Sequence, residues 1–133
     1  MRAIFAALGL VLAVSTAQAQ DHAGIGQTIE SQIAALQADD FDRAFSFASP
    51  DIKRLFATPE RFGAMVRNGY PMVYRPADVT MLEQTETPAG VVQRVMIRDA
   101  QGRLHFLAYQ MVPAADGWQI NGVQLLQAPE TGV

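Results

Sequence analysis

The chain is 133 residues long, 50% hydrophobic and 17% charged, with a formal charge of −3 and no cysteine. A single domain of this size buries enough apolar surface to fold without disulfides or a structural zinc cluster. The missing cysteines exclude thiol nucleophiles, CxxC redox pairs and thiolate metal sites, and the acidic balance argues against nucleic acid, whose binders carry basic patches.

Met1 and Arg2 precede an unbroken apolar run from Ala3 to Val14, and Ala17-Gln18-Ala19 is a small-x-small cleavage signal. This pattern predicts a secretory signal peptide over residues 1–19, cleaved after Ala19, and one mature domain over residues 20–133. The run is shorter than the about 20 apolar residues that a spanning helix needs, and no later stretch approaches that length. A periplasmic or secreted protein with no membrane span after cleavage is the expectation.

Ile25, Ile29, Ile33 and Leu36 fall on one helical face, with Gln27, Glu30, Gln32 and Gln37 assigned to the opposite one. Asp39-Asp40 is a cap for a second short helix, in which Phe41, Ala44, Phe45 and Ala48 repeat at helical spacing. Ser49-Pro50 and Thr58-Pro59 each place a capping hydroxyl before a proline and predict two more helices. The last of these turns Phe62, Met65 and Val66 inward and stops at Asn68-Gly69. Tyr70–Pro76 reads as an extended crossing, because each proline drives the residue before it out of the helical region.

Four strands follow, over Asp78–Thr87, Val91–Arg98, Arg103–Pro113 and Trp118–Gln127, joined by segments with hairpin-loop chemistry. Helices followed by an antiparallel meander predict an α+β fold. If Asp99–Gly102 is a four-residue loop, Arg98 faces Arg103. One face then gathers Val91, Gln93, Val95 and Ile97 with Leu104, Phe106, Ala108, Gln110 and Val112, and serves as the core face. The other gathers Val92, Arg94, Met96 and Arg98 with His105, Leu107, Tyr109 and Met111, which is too apolar for a plain solvent face. A homodimer through the sheet, or the chain termini, would cover it. The last strand has two readings. A loop of two or four residues puts Asn121, Val123 and Leu125 on the core face, whereas an odd loop or a bulge puts Trp118, Ile120 and Leu126 there.

The order of elements, ending in Gly117-Trp118-Gln119-Ile120-Asn121-Gly122-Val123, resembles the nuclear-transport-factor-2-like cone, a superfamily that includes ketosteroid isomerase and scytalone dehydratase. A closer resemblance is to an uncharacterised bacterial exported family, a domain of unknown function. It is carried by Gln37-Ala38-Asp39-Asp40-Phe41, Phe47-Ala48-Ser49-Pro50, Phe62-Gly63-Ala64-Met65-Val66, Gly69-Tyr70-Pro71-Met72-Val73 and the segment Trp118–Leu125. The resemblance implies N-terminal helices packed on a curved sheet of four or more antiparallel strands, and it brings no catalytic residues with it.

Cone-fold enzymes use a buried acid or histidine as base, with a phenol or protonated acid stabilising an oxyanion. The groups that could do this here are His105, Glu83 and Tyr109, with plainer roles for His105 as a partly exposed or interface residue and for Glu83 as a solvated edge carboxylate. Tyr70 and Tyr74 would line the mouth of the cone, and Gln93 and Gln110 on the apolar face, joined by Asn121 under one register of the last strand, would hold a ligand or bond each other and nearby backbone. Cleavage after Ala19 would expose Gln20-Asp21-His22, a Cu(II) or Ni(II) chelate only if the terminal glutamine stays uncyclised. No metal or cofactor is expected. The residues favour a non-catalytic binding or interaction module for a small apolar ligand or a protein partner. The alternative is a small isomerase, dehydratase or hydrolase using His105 or Glu83 with a tyrosine.

Overall fold

The computed structural model describes residues 17–127. The basic start and apolar run of the expected signal peptide lie outside them. Along the chain run helices α1 (Ala17–Gln37), α2 (Phe41–Ser46), α3 (Pro50–Phe56), α4 (Pro59–Gly69) and α5 (Pro71–Tyr74), then strands β1 (Pro76–Thr87), β2 (Gly90–Asp99), β3 (Leu104–Ala114) and β4 (Gly117–Leu126). No helix among the described residues is long and apolar enough to cross a membrane.

The helix starts follow from their caps. The Asp40 side chain accepts from Arg43 N, the Ser49 hydroxyl from Ile52 N, and the Thr58 hydroxyl from Arg61 N, with Pro50 and Pro59 in the first turns of α3 and α4. Each cap satisfies an N–H that the first turn would leave unpaired. Ile25, Ile29, Ile33 and Leu36 are all buried along α1, as their spacing predicts. Full burial of such a side chain contributes roughly 1.5–3 kcal/mol. Gln32 departs from its assignment to the polar face. It stands three residues after Ile29 and four before Leu36, which puts it on the buried stripe, and it is 3% exposed.

The crossing segment also differs from the expected extended chain. Tyr70 and Arg75 do leave the helical region before their prolines, but Pro71–Tyr74 between them forms one helical turn that buries Met72 and Val73. Pro71 occupies the first position of that turn, where its missing N–H costs nothing.

The sheet is antiparallel throughout, in the order β1-β2-β3-β4, and the helices pack on one face of it. Helices followed by a curved, open four-stranded sheet make the fold α+β, consistent with the nuclear-transport-factor-2-like cone. The register of the central hairpin corrects the four-residue loop. Asp99 N donates to Arg103 O and Gly102 N to Asp99 O, so Asp99 pairs with Arg103 and the loop is the three residues Ala100-Gln101-Gly102. Gly102 has φ +83°, the left-handed residue that such a loop requires. Removing one residue from the loop reverses every β3 side chain. Leu107, Tyr109 and Met111 therefore join Val91, Val95 and Ile97 under the helices. Phe106, Ala108 and Gln110 turn to the outer face, beside Arg94 and Met96. The second face thus exchanges Leu107, Tyr109 and Met111 for Leu104, Phe106 and Ala108.

On β4 part of each reading is realised in succession, while Leu126, expected inward with Trp118 and Ile120, pairs with Phe106 on the outer face because the bulge shifts the register by one residue. A two-residue turn pairs Pro113 with Trp118 and Met111 with Ile120. A bulge at Asn121 then brings Val123 opposite Tyr109 and Leu125 opposite Leu107, so Trp118 and Ile120, and then Val123 and Leu125, take the inner side. The free edge of β4 is covered by residues 47–49, where Ile120 N donates to Phe47 O and Ser49 N to Ile120 O, both at 2.9 Å.

A Cβ at residue 102 would touch nothing, so Gly102→Ala tests the backbone alone. It is expected to cost roughly 1 kcal/mol in urea unfolding, with the slope of the transition unchanged.

Candidate functional site

A pocket of about 200 Å³ opens between the helices and the inner face of β3 and β4. Its outer wall is α3, through Ile52, Leu55 and Phe56. Its inner wall is α4 and α5, through Phe62, Met65, Val66 and Val73. Gln32 of α1, Tyr109 of β3 and Ile120, Gly122 and Val123 of β4 complete it, with Tyr70 beside Val123. No Asp, Glu, Lys, Arg or His lines it.

Helix α3 is held lightly. None of its residues is buried, and Leu55, at the rim of the pocket, is 71% exposed. It ends in a strained turn, because Ala57 has φ +70° and Thr58 N donates to Phe56 O at 2.8 Å, a γ-turn. Such a conformation in a residue with a Cβ costs on the order of 1–3 kcal/mol.

Two polar side chains of the pocket donate within the fold and a third does not. Gln32 Nε2 donates to Ala44 O at 3.2 Å. Tyr70 OH donates to Val123 O at 3.2 Å. Tyr109 is fully buried, and its hydroxyl has no partner among the described residues. Burial pushes the Tyr109 phenol well above its ordinary value of 10.0, and nearby Tyr70 adds to the shift. Tyr109 therefore keeps its proton.

The other residues singled out in the sequence are dispersed. Gln93 is 1% exposed and wholly engaged in the sheet. The β1 bulge sets Leu82 and Glu83 against Arg94 alone. Gln93 Nε2 donates to Leu82 O at 2.9 Å and Arg94 O at 2.8 Å, while its Oε1 accepts from Gln84 Nε2 at 2.8 Å. Gln84 Nε2 also reaches His22 O at 2.9 Å, which ties α1 to the bulge. Gln110, expected beside Gln93 on the apolar face, lies on the outer face and is exposed, a consequence of the three-residue loop. Asn121 sits in the β4 bulge, where its Oδ1 accepts from Ser49 Oγ at 2.6 Å. Tyr74 lies away from the pocket. Its hydroxyl donates to Asp39, and the Arg75 guanidinium stacks 3.8 Å from its ring centre while bonding the same carboxylate.

The acid-base groups do not meet at the pocket. Glu83 is exposed and pairs with Arg94. His105 is half-buried at the end of β3, with Nε2 2.7 Å from Asp99 Oδ2. It shares a face with Tyr109 but stands four residues away, about 13 Å along the strand. The hydrogen bond from His105 holds the Asp99 carboxyl below its ordinary 3.8, against the opposing effect of burial, and Arg103 N and Gln101 N add to it. No group of three or more His, Cys, Asp or Glu able to hold a metal occurs among the described residues. Among these residues the sequence missed two features of the site. Gln32 was legible in its spacing from Ile29 and Leu36, whereas the unpaired Tyr109 hydroxyl had no signal in the sequence.

Residues 18–133 match the model of a family described as a domain of unknown function, DUF4864. No curated protein and no solved structure matches the chain.

Two outcomes are expected of the groups outside the pocket. Asp99, Asp39 and Glu83 all have carboxyls held below their ordinary values in the folded state. Their stabilisation is complete above the unfolded-state values and is lost as pH falls through the folded ones, because the unfolded chain binds protons first. The urea midpoint should stay level above about pH 5 and decline through pH 4 and below, with a shallower decline in Asp99→Asn. Gln93→Leu, which strips two bulge carbonyls of their donor, should destabilise by about 2 kcal/mol in urea unfolding while leaving ligand binding at the pocket intact.

Proposed function

Since the chain belongs to the DUF4864 family, whose description assigns no activity, we propose a function from the pocket itself: a non-catalytic module that binds a small apolar ligand between α3, α4 and the inner face of the sheet. The observation that carries this reading is an uncharged pocket of about 200 Å³, lined mainly by Ile, Leu, Phe, Met and Val. A cavity of about 150 Å³ with aliphatic and aromatic walls takes up benzene, so this volume suits a monocyclic or short-chain compound. Wider grooves exist. The one of about 540 Å³ between α1 and the β3–β4 turn is bordered by exposed Gln27, Ser46 and Asp116, and no unpaired buried group borders it among the described residues. Apolar ligands gain little from such a surface.

A binding role agrees with the dispersal of the acid-base groups, since general acid-base catalysis needs its partners within hydrogen-bond reach of one substrate. It also agrees with the light attachment of α3, the wall through which a ligand would enter. The leader read from Met1 to Ala19 would deliver the module to the periplasm or the exterior, where a small apolar compound arrives by diffusion.

Thermal unfolding of the protein should shift upward with added toluene or α-methylstyrene. A ligand at 100 times its Kd stabilises by about 2.7 kcal/mol if it binds only the folded state. Val123→Phe, which places a ring into the pocket from β4, should abolish the shift. An unchanged midpoint in the unsubstituted protein at saturating hydrocarbon would refute the binding role.

A further inference from the structure

We infer that the ligand of this pocket is a neutral compound with a hydrogen-bond acceptor, a ketone, ester or amide carbonyl on an apolar body, and that the Tyr109 hydroxyl donates to that acceptor. The inference rests on the proposed binding role and deepens it. Tyrosine hydroxyls that are buried nearly always find a partner, because leaving one unpaired forfeits the hydrogen bond it had with water. Tyr109 is fully buried in the wall of the one apolar pocket described above, and its hydroxyl has no partner among the described residues. Among the described residues the folded chain supplies no partner, and because Tyr109 lines the pocket we assign that role to its occupant.

Three further observations fix the chemical class. No charged side chain lines the pocket, so a carboxylate, phosphate or ammonium would be desolvated without a counter-ion. The Tyr109 hydroxyl retains its proton, which makes it a standing donor in search of an acceptor. The two other polar side chains have already spent donors within the fold, Gln32 Nε2 on Ala44 O and the Tyr70 hydroxyl on Val123 O. Tyr109 is the pocket residue whose hydroxyl has no partner within the fold, and a carbonyl oxygen is a neutral group that complements it.

The test compares near-isosteric probes by calorimetric titration of the whole protein: acetophenone, α-methylstyrene and benzoate. Acetophenone is expected to bind about tenfold more tightly than α-methylstyrene, the worth of one hydrogen bond to an otherwise unpaired buried donor, and benzoate not to bind measurably. In Tyr109→Phe the preference for acetophenone over α-methylstyrene should vanish while the hydrocarbon still binds. The infrared carbonyl stretch of acetophenone bound to the unsubstituted protein should lie below its position in hexane, a readout that holds even if Tyr109→Phe fails to fold. Equal affinity for ketone and hydrocarbon, or a carbonyl stretch as in hexane, would overturn this inference and leave the binding role standing. Failure of both probes to bind would overturn the two together.

Discussion

Gly102 sits at φ +83° and lets the chain turn from β2 to β3 in three residues, with Asp99 accepting at its Oδ1 from Gln101 N and Arg103 N. Much of the interior follows from that turn. A strand has two faces, and a loop longer by one residue would exchange them along all of β3. Because the turn is three residues, Leu107, Tyr109 and Met111 lie under the helices, and Phe106 and Gln110 lie outside. The Asp99 carboxylate also bonds His105, so the first inward residue of β3 is tied to the turn that orients it. The pocket owes its Tyr109 wall to this parity.

Two of the three register shifts in the sheet carry an amide side chain with a structural role. One, in β1, exposes the carbonyls of Leu82 and Glu83 on the inner side, and the buried Gln93 amide serves them. The other, at Asn121 of β4, changes which residues face inward, from Trp118 and Ile120 to Val123 and Leu125. Asn121 itself turns to Ser49, which caps α3 and lies in the segment covering the β4 edge. Amides that look like ligand contacts in a list of residues thus serve as sheet irregularities and edge joints. A bulge leaves backbone groups unpaired, and a short amide is the side chain best able to satisfy them.

The pocket lies where strongly and weakly held elements meet. Its inner wall is anchored by buried Phe62, Val66 and Val73, and its floor by Tyr109. Its outer wall is α3, which buries no residue and ends in the strained turn at Ala57. Low local stability on one side of an apolar pocket is what entry of a ligand requires, since a wall closed by full packing would open only with global unfolding. The fold therefore combines a buried, uncharged floor with an outer wall that buries none of its residues.

The amino-acid sequence by itself determined the α+β class, the division into N-terminal helices and four following strands, and most helix starts, because spacing and capping are local. Asp40, Ser49 and Thr58 cap as read, and the isoleucine stripe of α1 is buried as read. Prolines 71 and 76 correctly restricted Tyr70 and Arg75, yet could not exclude the helical turn between them, since that restriction reaches only one residue back. Tertiary structure decided the register, because loops of four and three residues differ only in whether Arg103 pairs with Arg98 or with Asp99. It also decided the site. Whether a tyrosine hydroxyl is satisfied depends on which atoms of α1, α4 and β4 come near it, and those positions are set by packing between elements distant in the chain.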